Sequence, residues 1–480
     1  MNLRDKRTKI VATISDRRCS KEFLQKLYDN GLDCVRMNTA HQDREGILKV
    51  VQNTRAVSDK IPILMDTKGP EVRTLGYEKE VTYPTGAEVA FKGTDDTNVT
   101  SDEKTIYVNF PNIAKEVPVG ANILVDDGYI QFTVKKITED SLIAVVDNEG
   151  TIKNKKSVNI PNVDLNLIVL TEKDKEFIKL AIDEKIDFIA HSFVQHASDL
   201  QQIQKILDEH KSPIKLISKI ESQMGVDNLD EILEHCDGVM IARGDLGVEI
   251  PAAEVPTIQK MMIKKCIRKN KMVITATQML ESMCNNPRPT RAEVSDVANA
   301  VLDGTGCLML SGETASGDFP EESVATMASI AQTIEEKKPE FKYHAMETKA
   351  SDSRGVLVKA AISASQELGA KAIIVPSVTG ITARMLGTFR PKIPIYAQCT
   401  DSGVMRELGL AYNVRASMIE EVKHVEELVC KSLQALVDDK KLELDDTVVI
   451  LGRTPEHESG STNFLEVNQV KNCLKNYDKK

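Results

Sequence analysis

The chain has 480 residues, more than one hydrophobic core usually supports, so two or three domains are expected. Apolar residues make up 41% and charged residues 28%, the balance of an ordinary soluble globular protein without disordered or low-complexity tracts. The net charge of −10 argues against general affinity for nucleic acid or an anionic membrane surface, so an anionic substrate must be held by local cations.

The segment Met1-Asn2-Leu3-Arg4-Asp5-Lys6-Arg7 has no apolar signal core, and nowhere do about 18 apolar residues run together. The expectation is a cytoplasmic protein, neither secreted nor membrane-spanning. Nine cysteines scatter from Cys19 to Cys473 with no C-x-x-C pair, which suits free thiols in a reducing compartment rather than disulfides or structural zinc.

In chain order, short apolar runs followed by helix-like segments occur at Lys9 to Ile14, Cys34 to Asn38 and Pro62 to Asp66. After a long break they resume at Phe188 to Ala190, Lys215 to Ile220, Gly238 to Ala242, Met272 to Ala276 and Cys307 to Leu310. Eight such runs, apolar on both faces and alternating with helices, predict a (β/α)8 barrel of buried parallel strands; a doubly wound open sheet is the competing architecture. Thr290-x-x-Glu293, after Pro287 and Pro289, predicts a capping box opening a helix toward Leu302.

The break, residues 70–164, is rich in Val, Thr and Ile, with turn signals at Pro84-Thr85-Gly86, Pro118-Val119-Gly120 and Asp127-Gly128. It reads as a small all-β domain inserted after strand three, leaving residues 1–69 and 165–340 as a discontinuous barrel. Asp126-Asp127-Gly128 reads as a hairpin turn rather than a metal site. Residues 341–480 carry runs at Ala372 to Val375, Ile393 to Ala397 and Thr447 to Leu451 and a helix at Val356 to Leu368, a separate C-terminal α/β domain.

Chemistry concentrates at the predicted strand ends. In Lys215-Leu216-Ile217-Ser218-Lys219-Ile220-Glu221, strand alternation puts Lys219 and Glu221 on one face. The next strand ends Ile241-Ala242-Arg243-Gly244-Asp245-Leu246-Gly247, a carboxylate and two glycines where barrel enzymes keep their catalytic groups. Glu221 and Asp245 are oxygen ligands suited to Mg²⁺ or Mn²⁺, which leave remaining positions to water or substrate. A structural salt bridge is the alternative for Lys219 and Glu221. Arg36 and Asn38 share a face at the end of strand two, Asp66-Thr67-Lys68 closes strand three, and Arg73 follows. Arginine supplies a rigid fork for phosphate. Thr277, in Ala276-Thr277-Gln278, offers a hydroxyl for a substrate carboxylate or a proton-donating water.

Three segments in order, Lys219-Ile220-Glu221, Ala242-Arg243-Gly244-Asp245-Leu246-Gly247 and Ala276-Thr277-Gln278-Met279-Leu280-Glu281-Ser282-Met283, resemble the pyruvate kinases. Asp66-Thr67-Lys68-Gly69-Pro70-Glu71-Val72-Arg73-Thr74, Pro287 to Glu293 and Leu310-Ser311-Gly312-Glu313-Thr314-Ala315 extend the resemblance over nearly the whole chain. It implies a barrel, a β lid after strand three, a regulatory C-terminal domain, and transfer of the phosphoryl group of phosphoenolpyruvate to ADP, with ATP and pyruvate as products. It implies that Glu221 and Asp245 hold Mg²⁺, Lys219 stabilises charge on the transferred group, and Arg36 contacts the phosphoryl group. The backbone of Gly244 and Asp245, with the Thr277 hydroxyl, would receive the substrate carboxylate. Arg73 and Lys156 would reach the nucleotide phosphates, with Asn38 and His41 bordering the nucleotide.

By the same resemblance Asn38, Asp66 and the Thr67 carbonyl would hold K⁺. Ala40 stands where a serine ligand is usual, and Glu71 is the residue type that accompanies K⁺ dependence. Ser157 replaces the usual glycine, while His191 and Gln195 stand where relatives usually carry alanine and arginine. In the C-terminal domain Ser377-Val378-Thr379-Gly380-Ile381-Thr382 reads as an anion cradle or a plain helix cap. The resemblance makes it the site of a phosphorylated effector covered by Ser459-Gly460-Ser461-Thr462-Asn463, although Glu456 and Glu458 beside that loop would repel phosphate. A homotetramer is implied by resemblance alone. The rival function is a metal-dependent carbon–carbon lyase or aldolase, which would use the same two carboxylates on a pyruvate enolate; a non-catalytic metabolite sensor would need a broken constellation.

Overall fold

The computed structural model describes residues 2–337, 352–420, 425–453 and 462–477. Eight parallel strands close into a barrel: Lys9–Thr13, Cys34–Asn38, Ile63–Asp66, Phe188–His191, Lys215–Ile220, Gly238–Ala242, Met272–Ala276 and Cys307–Leu310. Closure rests on the pairing of the first strand with the eighth, Lys9 opposite Cys307. The strands are apolar on both faces because one face packs the lumen and the other packs helices. Inside lie Val11, Leu64, Phe188, Ile217, Met240, Ile274 and Met309, joined by Leu410 from the C-terminal region. The outer faces pack against Leu24, Ile47, Val50, Ile178, Val297 and Val324 of the surrounding helices. The helix Arg291–Asp303 opens with the expected capping box between Thr290 and Glu293 and stops at Gly304 in the left-handed conformation.

After the third strand the chain leaves the barrel through Gly69, at φ +66°, where a Cβ would lie 2.8 Å from Ser192 Cβ and 3.1 Å from the Ser192 carbonyl oxygen. Only glycine fits that exit. The inserted region forms a seven-stranded, mostly antiparallel sheet and a two-stranded one around its own core of Tyr83, Phe91, Ile106, Phe132 and Val134. Phe132 meets the rings of Tyr83 and Phe91 edge-on. Its one helix is the single turn Ile113–Glu116.

The C-terminal region is a five-stranded sheet covered by helices, including Ser353–Glu367, one residue short of the end read from sequence. Its strands are Ala372–Ser377, Ile395–Cys399, Val414–Met418, Thr447–Gly452 and the antiparallel edge Phe464–Gln469. It meets the bottom of the barrel through charge: Arg406 Nε lies 2.6 Å from Asp187 Oδ1, and Lys9 Nζ donates to the Val414 carbonyl at 2.8 Å. All nine cysteines are free thiols. Among the described residues no helix is long and apolar enough to cross a membrane.

Candidate active site

Strand register assembles the site. Asn38 pairs with Asp66 and Asp66 with Ala190, so the residues at or just past these strand ends share one level at the C-terminal mouth of the barrel. Lys219 lies in the fifth strand and Glu221 directly after it, on one face as a two-residue period requires.

Lys219 is the hub. Its Nζ sits 3.0 Å from Glu221 Oε1, 3.1 Å from Asp66 Oδ1 and 2.7 Å from Ser192 Oγ, one acceptor for each ammonium proton. Burial opposes its charge, but Asp66 and Glu221 outweigh that penalty and raise its pKa, so it is a permanent cation. Asp66 is likewise penalised by burial yet held below the usual carboxylate range by Arg36 and Lys219. Arg36 gives Nε and Nη2 to Asp66 Oδ2 at 2.8 and 2.6 Å and Nη1 to Thr13 Oγ1 at 2.8 Å. A guanidinium carries five N–H groups, so each terminal nitrogen keeps a proton for a ligand.

Glu221 and Asp245 show the opposite balance. Burial raises the Glu221 carboxyl; Lys219 pulls it back and Asp245 adds to the rise. Burial also raises Asp245, with Lys219 opposing and Glu221 beside it in the same cavity. The Phe193 N–H fixes Glu221 by donating to Oε2 at 2.5 Å. Two buried acids share one adjacent cation, a donor set of hard oxygens whose excess negative charge a divalent cation relieves. They therefore fit Mg²⁺ or Mn²⁺.

Thr277 carries strain. Its φ is +69° and that of Gln278 is +53°, unusual for any side chain and more so for a β-branched one. Arg243 holds the turn by donating from Nη2 to the Thr277 carbonyl at 2.7 Å, and is itself anchored to Asp296 at 2.7 Å. The Thr277 hydroxyl accepts from the Gly244 N–H at 2.7 Å and donates to the Ala276 carbonyl at 2.6 Å. Two of the groups expected to receive a substrate carboxylate, the Gly244 N–H and the Thr277 hydroxyl, are thus hydrogen-bonded to each other.

Across the mouth, Arg73 pairs with both carboxyl oxygens of Glu71 at 2.9 and 2.8 Å and donates to the Lys155 carbonyl at 2.7 Å. Lys156 Nζ lies 2.7 Å from Asp126 Oδ1. Arg36, Asn38, His41, Asp66, Thr67, Arg73, Lys219, Glu221, Asp245 and Thr277 line one cavity of about 470 Å³. Lys156 lines an adjoining cavity of about 740 Å³ that shares Arg73, Glu221 and Asp245 with the first.

The turn at Ser377 lies apart, in the C-terminal region. Ser377 Oγ accepts from the Gly380 N–H at 3.0 Å, and Gly380, at φ +73°, caps the helix Ile381–Thr388. Thr382 Oγ1 meets Thr462 Oγ1 at 2.7 Å, both buried. The Ser377 and Thr382 hydroxyls are therefore turned inward, while Thr379 is exposed. Ser459, Gly460, Ser461, Glu456 and Glu458 lie outside the described residues.

Sequence reading did not single out Ser192, whose hydroxyl accepts from Lys219 and donates to the Thr67 carbonyl at 2.7 Å. Nor did it give a role to His191, whose Nδ1 is 2.9 Å from Thr67 Oγ1 and whose buried Nε2 has no hydrogen-bond partner among the described residues. Burial, against the pull of Asp174 and Asp199, lowers His191 to about 4, so the ring is neutral near pH 7. Asp126 and Asp127 form the expected turn but also line the larger cavity together with Asp245.

A closed parallel barrel with paired carboxylates and fixed cations at its mouth, bridged by an inserted β sheet, defines a multidomain barrel enzyme for an anionic substrate. The chain matches the family described as pyruvate kinase, barrel domain, over residues 5–324 and that described as pyruvate kinase, alpha/beta domain, over residues 356–468. It is 45% identical to the pyruvate kinase of Borreliella burgdorferi over 476 residues, 98% of each chain, and 41% identical to that of Geobacillus stearothermophilus, covering 98% of this chain and 81% of the relative. The crystal structure of a pyruvate kinase from Cryptosporidium parvum superposes with a TM-score of 0.92 at 33% identity, covering 98% of this chain and 97% of that one. The chain belongs to the pyruvate kinase family.

Proposed function

We propose that the barrel mouth transfers the phosphoryl group of phosphoenolpyruvate to ADP, giving pyruvate and ATP. Membership of the family supports the reaction. The observation that carries the assignment of roles is the Lys219 ammonium, fixed by three acceptors beside two buried carboxylates that lack enough positive charge of their own.

Glu221 and Asp245 hold Mg²⁺ or Mn²⁺, which when bound neutralises and polarises substrate oxygens. Lys219 presents a positive charge that need not reorganise as negative charge spreads over the moving phosphoryl group. Arg36 turns its spare N–H donors onto a phosphoryl oxygen while Asp66 keeps the guanidinium in place. Gly244 and Thr277 exchange their mutual hydrogen bond for the substrate carboxylate, and the Thr277 hydroxyl then lies where the enolate takes its proton. Arg73 and Lys156 release Glu71 and Asp126 to receive the nucleotide phosphates, with Asn38 and His41 beside the nucleotide; residues 70–164 act as the lid.

The Asn38 amide oxygen, the Asp66 carboxylate and the Thr67 carbonyl are oxygen donors, the type alkali cations take, and K⁺ bound there stimulates turnover, with water standing in at Ala40. The C-terminal region is regulatory, and Ser377, Thr379, Gly380 and Thr382 form the turn that receives a phosphorylated effector. The protein works as a cytoplasmic homotetramer.

The test is a coupled assay of pyruvate release with phosphoenolpyruvate and ADP, with and without Mg²⁺ and K⁺. Release should require ADP and Mg²⁺ and rise with K⁺; pyruvate formed without ADP points instead to a lyase, and equal rates in K⁺-free buffer remove the K⁺ site.

A further inference from the structure

The turn Asp126-Asp127-Gly128 joins the strands Asn122–Val125 and Ile130–Ile137, and all three residues have positive φ, +57°, +54° and +82°. Glycine adopts such values freely, whereas two successive aspartates do so only when something holds them. The holder is Ser157, on the segment that returns across the sheet. Its hydroxyl accepts from the Asp127 N–H at 2.9 Å and donates to Asp127 Oδ1 at 2.7 Å, and its carbonyl accepts from the Asp126 N–H at 3.0 Å. One residue thus engages side chain and backbone of the turn at three points.

The same segment carries one of the two lid cations, Lys156, and pairs with the other, Arg73. Ser157 forms a backbone bridge with Arg73, and the Lys156 N–H donates to Thr74 Oγ1 at 2.9 Å. Lys156 then reaches the clasped turn through Asp126. The turn abuts the barrel: a Cβ on Gly128 would lie 3.7 Å from Val248 Cγ1, on the helix Arg243–Glu249 that carries Asp245. Asn159, two residues past Ser157, donates from Nδ2 to Glu249 Oε1 at 3.0 Å, fixing the return segment to that helix.

We propose that Ser157 is a positioning residue for the nucleotide: by clasping Asp127 it holds the lid turn so that Lys156 and Arg73 meet the nucleotide diphosphate as a pre-set pair. This rests on the reading that those two cations receive the nucleotide phosphates. Without the hydroxyl the turn relaxes out of the left-handed region, and the backbone that carries Lys156 and pairs with Arg73 through Ser157 loses its fixed place against the turn. Ordering is then deferred to the binding step, which weakens binding and leaves the chemistry of the filled site alone, because the hydrogen bonds of the Ser157 side chain go to Asp127 and not to the Lys219 hub.

The test compares Ser157→Ala, Ser157→Thr and Lys156→Ala with the parent enzyme. Steady-state constants are measured for both substrates, and hydrogen exchange at the Asp127 amide is followed without nucleotide. Ser157→Ala should raise KM for ADP about five- to tenfold, the loss of one or two hydrogen bonds' worth of organisation. KM for phosphoenolpyruvate should hold, the Asp127 amide should exchange faster, and Ser157→Thr, which keeps the hydroxyl, should restore both readouts. If Ser157→Ala leaves KM for ADP unchanged while Lys156→Ala raises it, the clasp is merely structural and the proposal fails. If Lys156→Ala also has no effect on KM for ADP, the assignment of Lys156 to the nucleotide fails first and takes the proposal with it.

Discussion

The two sides of the cavity hold their charges differently. At the barrel mouth the side chains of Asp66, Glu221 and Lys219 are 1%, 2% and 11% exposed; on the lid side those of Asp126, Lys156 and Arg73 are 26%, 32% and 37% exposed. Buried charges interact strongly and cannot rearrange without leaving a partner uncompensated. Half-exposed pairs are screened, worth about 0–1 kcal/mol each, and exchange partners readily. The barrel side is therefore suited to holding one fixed distribution of charge, and the proposed lid to trading its carboxylates for an incoming ligand. On this account substitutions in the barrel cluster should act on kcat and those on the lid should act on KM for ADP.

The largest effect should come from Glu221→Gln or Asp245→Asn, which keep the shape but remove a charge from the proposed metal site; pyruvate formation should fall to background in the coupled assay. Lys219→Met should follow, lowering kcat about 10²- to 10³-fold, the scale of a preorganised charge in a water-poor site, with little change in KM for phosphoenolpyruvate. Lys156→Ala or Arg73→Ala should raise KM for ADP roughly tenfold and change kcat much less. A Lys219 variant that acted on KM alone, or a lid variant that acted on kcat alone, would break the division.

The smallest effect concerns stability at the barrel mouth. His191 is lowered by burial to about 4, against a model-peptide value near 6.5, so between those values the unfolded chain binds more protons than the folded one. Stability contributed by the neutral ring is therefore complete above about pH 6.5 and lost as pH falls toward 4. In thermal unfolding across that range, the parent protein should lose stability more steeply than His191→Asn. Parallel curves would show that His191 does not titrate in this way.

The barrel was legible because its strands are buried on both faces, giving short continuous apolar runs that period-based reading detects; the observed bounds differ from the expected ones by a residue or so, as at Lys9–Thr13 and Phe188–His191. The strands Val414–Met418 and Phe464–Gln469 were not legible. They lie at the edges of the C-terminal sheet and carry mixed, half-exposed side chains, so no apolar run marks them. In the site, Lys219, Glu221 and Asp245 could be found because each ends or follows a strand. Ser192 could not, since its partners Lys219 and Thr67 lie 27 and 125 residues away and a serine carries no signal of its own. The strained φ of Thr277 was equally hidden, because it depends on Arg243 reaching across from the neighbouring strand end.

A divalent cation held jointly by Glu221 and Asp245 is the pivot of the proposed chemistry. A titration of Mn²⁺ into the nucleotide-free protein, followed by electron paramagnetic resonance, tests it without relying on turnover. One site per chain should be seen in the parent protein and be lost in both Glu221→Gln and Asp245→Asn. Unchanged Mn²⁺ affinity in either variant would contradict it.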